Sequence, residues 1–319
     1  MNYGFGIDVG GTSIKLGLFR QDGALLEKWE IPTDTRQHGQ NILPDIARAI
    51  DQCCARHQLR RPALWGLGIG VPGPVDRNGV VNRCGNLGWG VFSLPEALGR
   101  LTGLTVKAGN DANVAALGEC RQGGGRGCRN MVLMTLGTGI GGGIVLDGSI
   151  VHGAHGAAGE IGHITLNPAE TEPCNCGNYG CAEQYGSATG LVRLARRALA
   201  RSDAPSALRQ LDAYSAREIF TLAADGDRLA RDILEEYYEV LGRLAAAICC
   251  VADPEAVVLG GGVSRAGQPL LEGVHRHFLP HMFHTGHEIR FSLAQLGNDA
   301  GIYGGFQMLL DAIQQPEAR

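Results

Sequence analysis

The sequence predicts an α/β protein of two domains, on three observations. Apolar runs of strand length alternate with helical patterns along the chain. The length, 319 residues, exceeds what one domain of roughly 100–200 residues usually holds. The chain also spells strand, glycine turn, strand twice, with the two turns roughly 128 positions apart, which marks an internal duplication. Hydrophobic residues at 44% and charged residues at 19% supply a core and exclude global disorder. A net charge of −4 without long runs of one sign argues against nucleic acid or an anionic membrane as the main partner.

The elements follow in order. Tyr3 to Ile7 reads as a strand entering the turn Asp8-Val9-Gly10-Gly11-Thr12. Ile14, Leu16 and Leu18 then alternate with Ser13, Lys15 and Gly17 in a second strand. Ile42, Ile46, Ile50 and Cys54 recur at helical spacing and define one apolar face. Leu64 to Val71 is a buried strand closed by Pro72-Gly73-Pro74. A strand near Leu104 to Ala108 runs into Gly109-Asn110-Asp111-Ala112-Asn113, and Val114 to Cys120 continues as helix. Gly123 to Gly127 reads as a mobile connection. The second half opens on the strand Met131 to Leu136, the turn Gly137 to Gly143, and a strand ending at Leu146. Helical patterns fill Thr189 to Ala252, with a break near Ser202 to Asp212. A strand, Ala256 to Leu259, precedes Gly260-Gly261-Gly262, and a last helix runs from near Asp299 to Ile313.

The chain holds 49 glycines, about twice the average usage of ~7%, and they cluster where strands end. Such turns expose backbone N–H groups and admit phosphate closely, because no Cβ intervenes. None matches the G-x-x-x-x-G-K-[ST] pattern, and none is a clean G-x-G-x-x-G opening a helix. One turn alone means little. Three together, the first carrying Asp8 and Thr12, point to a phosphate cradle, with Asp8 suited to hold Mg²⁺ through water.

Ten cysteines would suit a disulfide scaffold in a short secreted chain, but no basic segment followed by an apolar stretch opens this one. The expectation is a reducing, cytoplasmic setting. His163 with Cys174, Cys176 and Cys181 suits a Cys₃His tetrahedral zinc site, closed and therefore structural. Cys53, Cys54, Cys84, Cys120, Cys128, Cys249 and Cys250 show no ligand spacing and are expected mostly as small apolar core residues. Glu160 and Glu183 flank the zinc motif, which can aim them, with His163, at a polyhydroxylated ligand. A carboxylate at Asp111 can take the proton of a hydroxyl nucleophile, with Asn110 beside it. The same pair also suits a helix cap.

With these motifs in place, the chain resembles the ROK family, and within it the bacterial glucokinases, over essentially its whole length. The carriers are Asp8-Val9-Gly10-Gly11-Thr12-Ser13-Ile14-Lys15, Leu136-Gly137-Thr138-Gly139-Ile140-Gly141-Gly142-Gly143, and Gly159-Glu160-Ile161-Gly162-His163 with the three cysteines. The resemblance implies the fold of the actin, Hsp70 and sugar kinase superfamily: two ribonuclease-H-like lobes around a nucleotide cleft, with a structural zinc loop. It divides the chain into 1–112 plus 299–319 and 113–298. It implies ATP, Mg²⁺ and structural Zn²⁺, a hexose substrate, no nucleic-acid or membrane partner, and a homodimer. Glucose converted to glucose 6-phosphate comes first among substrates, ahead of N-acetylglucosamine, N-acetylmannosamine, mannose, fructose and allose.

Residue by residue, Asp111 matches the catalytic base. Gly73, Asn86, Asn110, Glu160, His163 and Glu183 match sugar contacts. Asp8, Gly10, Gly11, Thr12, Lys15, Thr138 and Gly139 match the phosphate and Mg²⁺ cradle, and Gly260, Gly261 and Gly262 a nucleotide-side turn. Lys15 reads equally well as an alternating strand residue facing solvent. Other members of the family are sugar-responsive repressors with a helix-turn-helix domain ahead of the first phosphate motif. Here Asp8 comes too early for that domain, so the kinase class is expected.

Overall fold

The structure is a computed structural model describing residues 2–283 and 288–314. Strand β1 (Tyr3–Val9) folds back antiparallel on β2 (Ser13–Arg20), which pairs with β3 (Leu25–Pro32). The single turn α1 (Arg36–Gly39) and the helix α2 (Ile42–Arg56) lead to β4 (Leu64–Val71), parallel to β1. A two-stranded ribbon of β5 (Val80–Cys84) and β6 (Trp89–Ser93) precedes α3 (Leu94–Thr102). Then β7 (Val106–Asn110) joins β4 in parallel and passes directly into α4 (Asp111–Gln122). The first sheet therefore has the order β3-β2-β1-β4-β7.

The pattern then repeats. Strands β8 (Met131–Leu136), β9 (Ile140–Leu146) and the short β10 (Ser149–Ile150) come first. The helices α5 (Glu183–Gly186), α6 (Ala188–Arg201), α7 (Ala216–Ala224) and α8 (Arg228–Ala252) follow. Next are β11 (Ala256–Gly260), α9 (Gln268–Phe278), β12 (Arg290–Leu293) and α10 (Ala300–Gln314). The second sheet has the order β10-β9-β8-β11-β12, the same succession as the first. The duplication hinted at by two glycine turns is thus a duplication of whole sheets. The chain forms two compact units: unit 1 comprises Met1–Arg129, Gly143–Gly159 and Leu296–Arg319, and unit 2 comprises Asn130–Gly142 and Glu160–Gln295.

Several expectations change in detail. On α2 the buried fourth member is Cys53, with Cys54 only half-buried, because a strict four-residue spacing drifts off a 3.6-residue turn. Cys250 is exposed and Cys128 half-buried, while Cys84, Cys120 and Cys249 sit in the core as expected. The Gly123–Gly127 stretch is no loose linker at its start: Gly123, Gly124 and Gly125 are buried, and each N–H is held by the carbonyl or carboxylate of Glu119.

Helix α10 completes unit 1 by a backbone-close approach. A Cβ on Gly304 would stand 1.7 Å from the Val114 carbonyl oxygen of α4, and one on Gly6 of β1 1.8 Å from that of Ile302. On the same face of the sheet, Phe19 of β2 stacks on Phe306 at 4.6 Å and is wholly buried by α10. Gly304→Ala is expected to cost roughly 3 kcal/mol of unfolding free energy, measurable by urea titration. A loss within experimental error would show that α10 can shift to make room.

Candidate functional site

Unit 1 carries one set of expected residues at the C-terminal ends of its parallel strands, where open α/β sheets place ligands. Asp8 lies near the end of β1, with Gly10, Gly11 and Thr12 in the turn that follows. A Cβ on Gly11 would meet nothing within 4 Å, so the turn is open to a ligand. The Asp8 carboxyl is pushed up from its ordinary value by burial; the Lys15 ammonium opposes that shift and Glu30 adds to it. Lys15 Nζ lies 3.8 Å from Asp8 Oδ2 and donates to the Asn298 carbonyl at 3.1 Å. The residue that alternation would turn to solvent is instead tied to the carboxylate. A half-compensated, half-buried carboxylate beside an open glycine turn fits a hydrated divalent cation.

At the end of β7, Asn110 is the N-cap of α4. Its Oδ1 accepts the Asn113 N–H and its Nδ2 donates to the Gly73 carbonyl, both at 3.1 Å. The cap and the functional role therefore coexist in one residue. Asp111 is the first residue of α4, with Oδ1 accepting its own neighbour's N–H, from Ala112, at 2.8 Å. The helix N-terminus favours a carboxylate there. Gly73, at φ 89°, approaches the Arg83 carbonyl and the Cys84 backbone, which leads into the short turn Gly85–Leu87 bearing exposed Asn86. Gly73, Asn110 and Asp111 come together, with the Asn86 turn adjoining.

Unit 2 gathers the rest. His163 Nδ1 is 3.9 Å from Cys174 Sγ, Cys176 Sγ is 3.6 Å from Cys181 Sγ, and all four ligand atoms lie within 4.8 Å of one another. Zinc–sulfur bonds of 2.3 Å in a tetrahedron separate thiolates by about 3.8 Å, so the cluster fits zinc. A tight hairpin makes this possible: Cys174 N–H donates to the Asn178 carbonyl, Gly177 N–H to that of Cys174, and Pro173 bridges Tyr179. Nδ1 faces the thiols while Nε2 lies 4.0 Å from Glu160 Oε2, on an exposed carboxylate. Glu183, at the start of α5, accepts the Ile140 N–H at 3.0 Å, and its other oxygen is 3.9 Å from Cys174 Sγ. It therefore joins the zinc cluster to the second glycine turn. A Cβ on Gly139 would stand 2.3 Å from the same carboxylate. Thr138 lends its carbonyl to Thr189 Oγ1 at 2.8 Å, which fixes the turn to α6. Gly260 ends β11, and Gly261, at φ 81°, packs on the Leu136 backbone at the end of β8, while Gly262 faces open space.

Sequence reasoning missed the support behind the zinc loop. Buried Glu170 accepts from Tyr185 Oη and from Arg197 Nη1 at 3.1 Å, and forms an ion pair with Arg193 Nη2 at 2.9 Å. Burial disfavours its charge, but the bonds from Tyr185, the Glu172 N–H, Arg197 and the Thr171 N–H outweigh that and hold the carboxyl well below its ordinary value. Only Arg spacing on α6 hinted at it. Glu170→Gln is expected to cost roughly 1–2 kcal/mol, because it removes the buried charge that Arg193 and Arg197 share and leaves both only the exposed Glu172. A depressed carboxyl contributes fully above its unfolded pKa, about 4.5, and loses that contribution as pH falls below it. Urea unfolding should show the wild-type advantage closing under acid; an advantage that grows there would contradict the network.

Comparison with known proteins finds related sequences and structures. The sequence model of the ROK family matches residues 4–312. A glucokinase of Halalkalibacterium halodurans is 41% identical over 94% of this chain and 92% of its own. The ROK hexokinase of Thermus thermophilus superposes with a TM-score of 0.80 at 31% identity, covering 99% of this chain and 100% of that one. A ROK family glucokinase from Streptomyces griseus, solved in complex with glucose and AMPPNP, gives 0.71 at 32% identity over 95% and 97%. Among the described residues, no helix is long and apolar enough to cross a membrane.

Proposed function

The chain belongs to the ROK family, and we propose that within it the protein is a glucokinase, moving the γ-phosphoryl group of ATP to O6 of glucose. The carrying observation is Asp111, set by the β7–α4 junction beside an Asn110 whose amide is locked on Gly73. Phosphoryl transfer needs alignment and charge neutralisation more than covalent work by the protein. Asp111 accepts the proton leaving O6. Asn110 still has one amide hydrogen beyond its Gly73 bond, and it offers this to a neighbouring hydroxyl. Gly73 and Asn86 line the same pocket.

Glu160, His163 Nε2 and Glu183 bind further hydroxyls; a charged or metal-oriented acceptor distinguishes hydroxyl positions sharply, since a misplaced one leaves it unpaired. Backbone N–H groups at Gly11, Thr12, Thr138 and Gly139 donate to phosphate oxygens, Gly10 shapes the turn by donating its N–H to the Ser13 carbonyl at 3.0 Å, and Lys15 balances charge near Asp8. Gly260 to Gly262 leave room for the nucleotide. Mg²⁺, which Asp8 and Thr12 would hold, supplies neutralisation of the phosphates. Zinc on His163, Cys174, Cys176 and Cys181 supplies a closed crosslink with no open position. The protein is assigned to the cytoplasm as a homodimer, following the bacterial glucokinases it resembles.

Coupled detection of ADP across a panel of hexoses tests the substrate. Glucose is expected to give the highest kcat/KM. A clear preference for N-acetylglucosamine, N-acetylmannosamine, mannose, fructose or allose would replace it, and flat rates on every sugar would remove the kinase assignment.

A further inference from the structure

Unit 1 holds a second convergence of metal-binding side chains, between the inner side of β3 and the last turn of α2. Strand β3 alternates half-buried with exposed positions, and Glu27 occupies a half-buried one where an apolar residue belongs. Cys53 and His57 stand one helical turn apart and so share a side of α2. Cys53 Sγ lies 3.8 Å from Glu27 Oε2, and His57 Nε2 lies 2.5 Å from the same oxygen. The three ligand atoms fall within 4.8 Å of one another. The other carboxylate oxygen accepts from Arg56 Nη2 at 2.5 Å, and that guanidinium sits 5.7 Å from the Trp29 ring centre. The carboxylate is thereby aimed.

We propose that Glu27, Cys53 and His57 form a second metal site that takes one Zn²⁺, with water in the fourth position. Thiolate, imidazole and carboxylate are the mixed donor set that zinc accepts. Bonds of 2.3 Å to sulfur and about 2.0–2.2 Å to nitrogen and oxygen place tetrahedral donors about 3.3–3.7 Å apart. The Cys53–Glu27 separation already fits. The His57–Glu27 contact opens by about 0.8 Å when the ion replaces the proton shared there, and the Cys53 S–H proton leaves to water as zinc takes the sulfur. Arg56 then plays the part of the outer partner that orients metal-bound carboxylates. An ion pair alone accounts for Glu27, Arg56 and His57, but not for a fully buried thiol directed at their carboxylate. His57 and Glu27 are 35% and 27% exposed, which gives an ion a way in, while the thiol closes the dry side. The ion would pin edge strand β3 to α2.

Zinc titration of the full chain after chelation, by equilibrium dialysis with elemental analysis, tests the site. Wild type is expected to hold about two zinc ions per chain. Glu27→Gln, His57→Ala and Cys53→Ser should each hold about one, with affinity for the second ion down by roughly a hundredfold or more. His57→Ala removes a partly exposed side chain, so its zinc content stays readable even where Cys53→Ser fails to fold. About one zinc in the wild type overturns the site. So does a second ion that survives all three substitutions, which places it elsewhere.

Discussion

Asp111→Asn is expected to lower kcat by roughly 10²–10⁴ while the KM for glucose moves little. The amide keeps the size of the side chain and can still meet the Ala112 N–H that the carboxylate meets at 2.8 Å. The start of α4 and the Asn110 cap should therefore stay in place. On the proposed role, what is lost is basicity toward the attacking hydroxyl, an interaction needed only as the proton moves, so the effect belongs in kcat. Steady-state kinetics with direct glucose-binding titration separate the two. A variant with near-normal turnover would take the base away from Asp111. A variant that no longer binds glucose would make the residue a positioning group.

Cys176→Ala is the second large effect. Cys176 is exposed and sits at the tip of the Pro173–Tyr179 hairpin, so the substitution disturbs no core packing. It removes one of four ligands from a closed site, and the free energy of metal binding is free energy of folding for the loop it ties. The loop's bound zinc should disappear in metal analysis, and the KM for glucose should rise roughly 10–100-fold. His163 would lose the bond that turns Nε2 toward Glu160, and Glu183 would lose its thiol neighbour. The KM for ATP should change far less. Equal losses for both substrates would mean that unit 2 has unfolded as a whole.

The glycine turns, the Cys₃His motif and the Asn110–Asp111 pair were legible because each is local: a turn, a cap or a ligand spacing is written in consecutive residues. The strands β1, β2, β4, β8 and β11 were legible for a related reason, since each is an unbroken or cleanly alternating apolar run. Strand β3 was not, because Glu27 breaks the alternation at an inward position. Strands β10 and β12 are too short to set up a period. The Glu170 network draws Tyr185, Arg193 and Arg197 from beyond the zinc loop, and Glu119 holds both Gly124 and Leu296. Partners that far apart leave no trace in a local window. The approach of α10 to Gly6 and Val114 is equally invisible, because glycine spacing does not say which backbone will come near.

That approach has a consequence for biosynthesis. The strands β1 and β2 leave the ribosome early, yet the helix that covers Phe19 and seats against Gly6 is encoded after the whole Glu160–Gln295 segment. Throughout translation of that segment the nascent first half carries an uncovered aromatic and apolar seam, the kind of surface that chaperones engage. Quality control of this polypeptide therefore falls late, at the moment residues 300–314 emerge and dock.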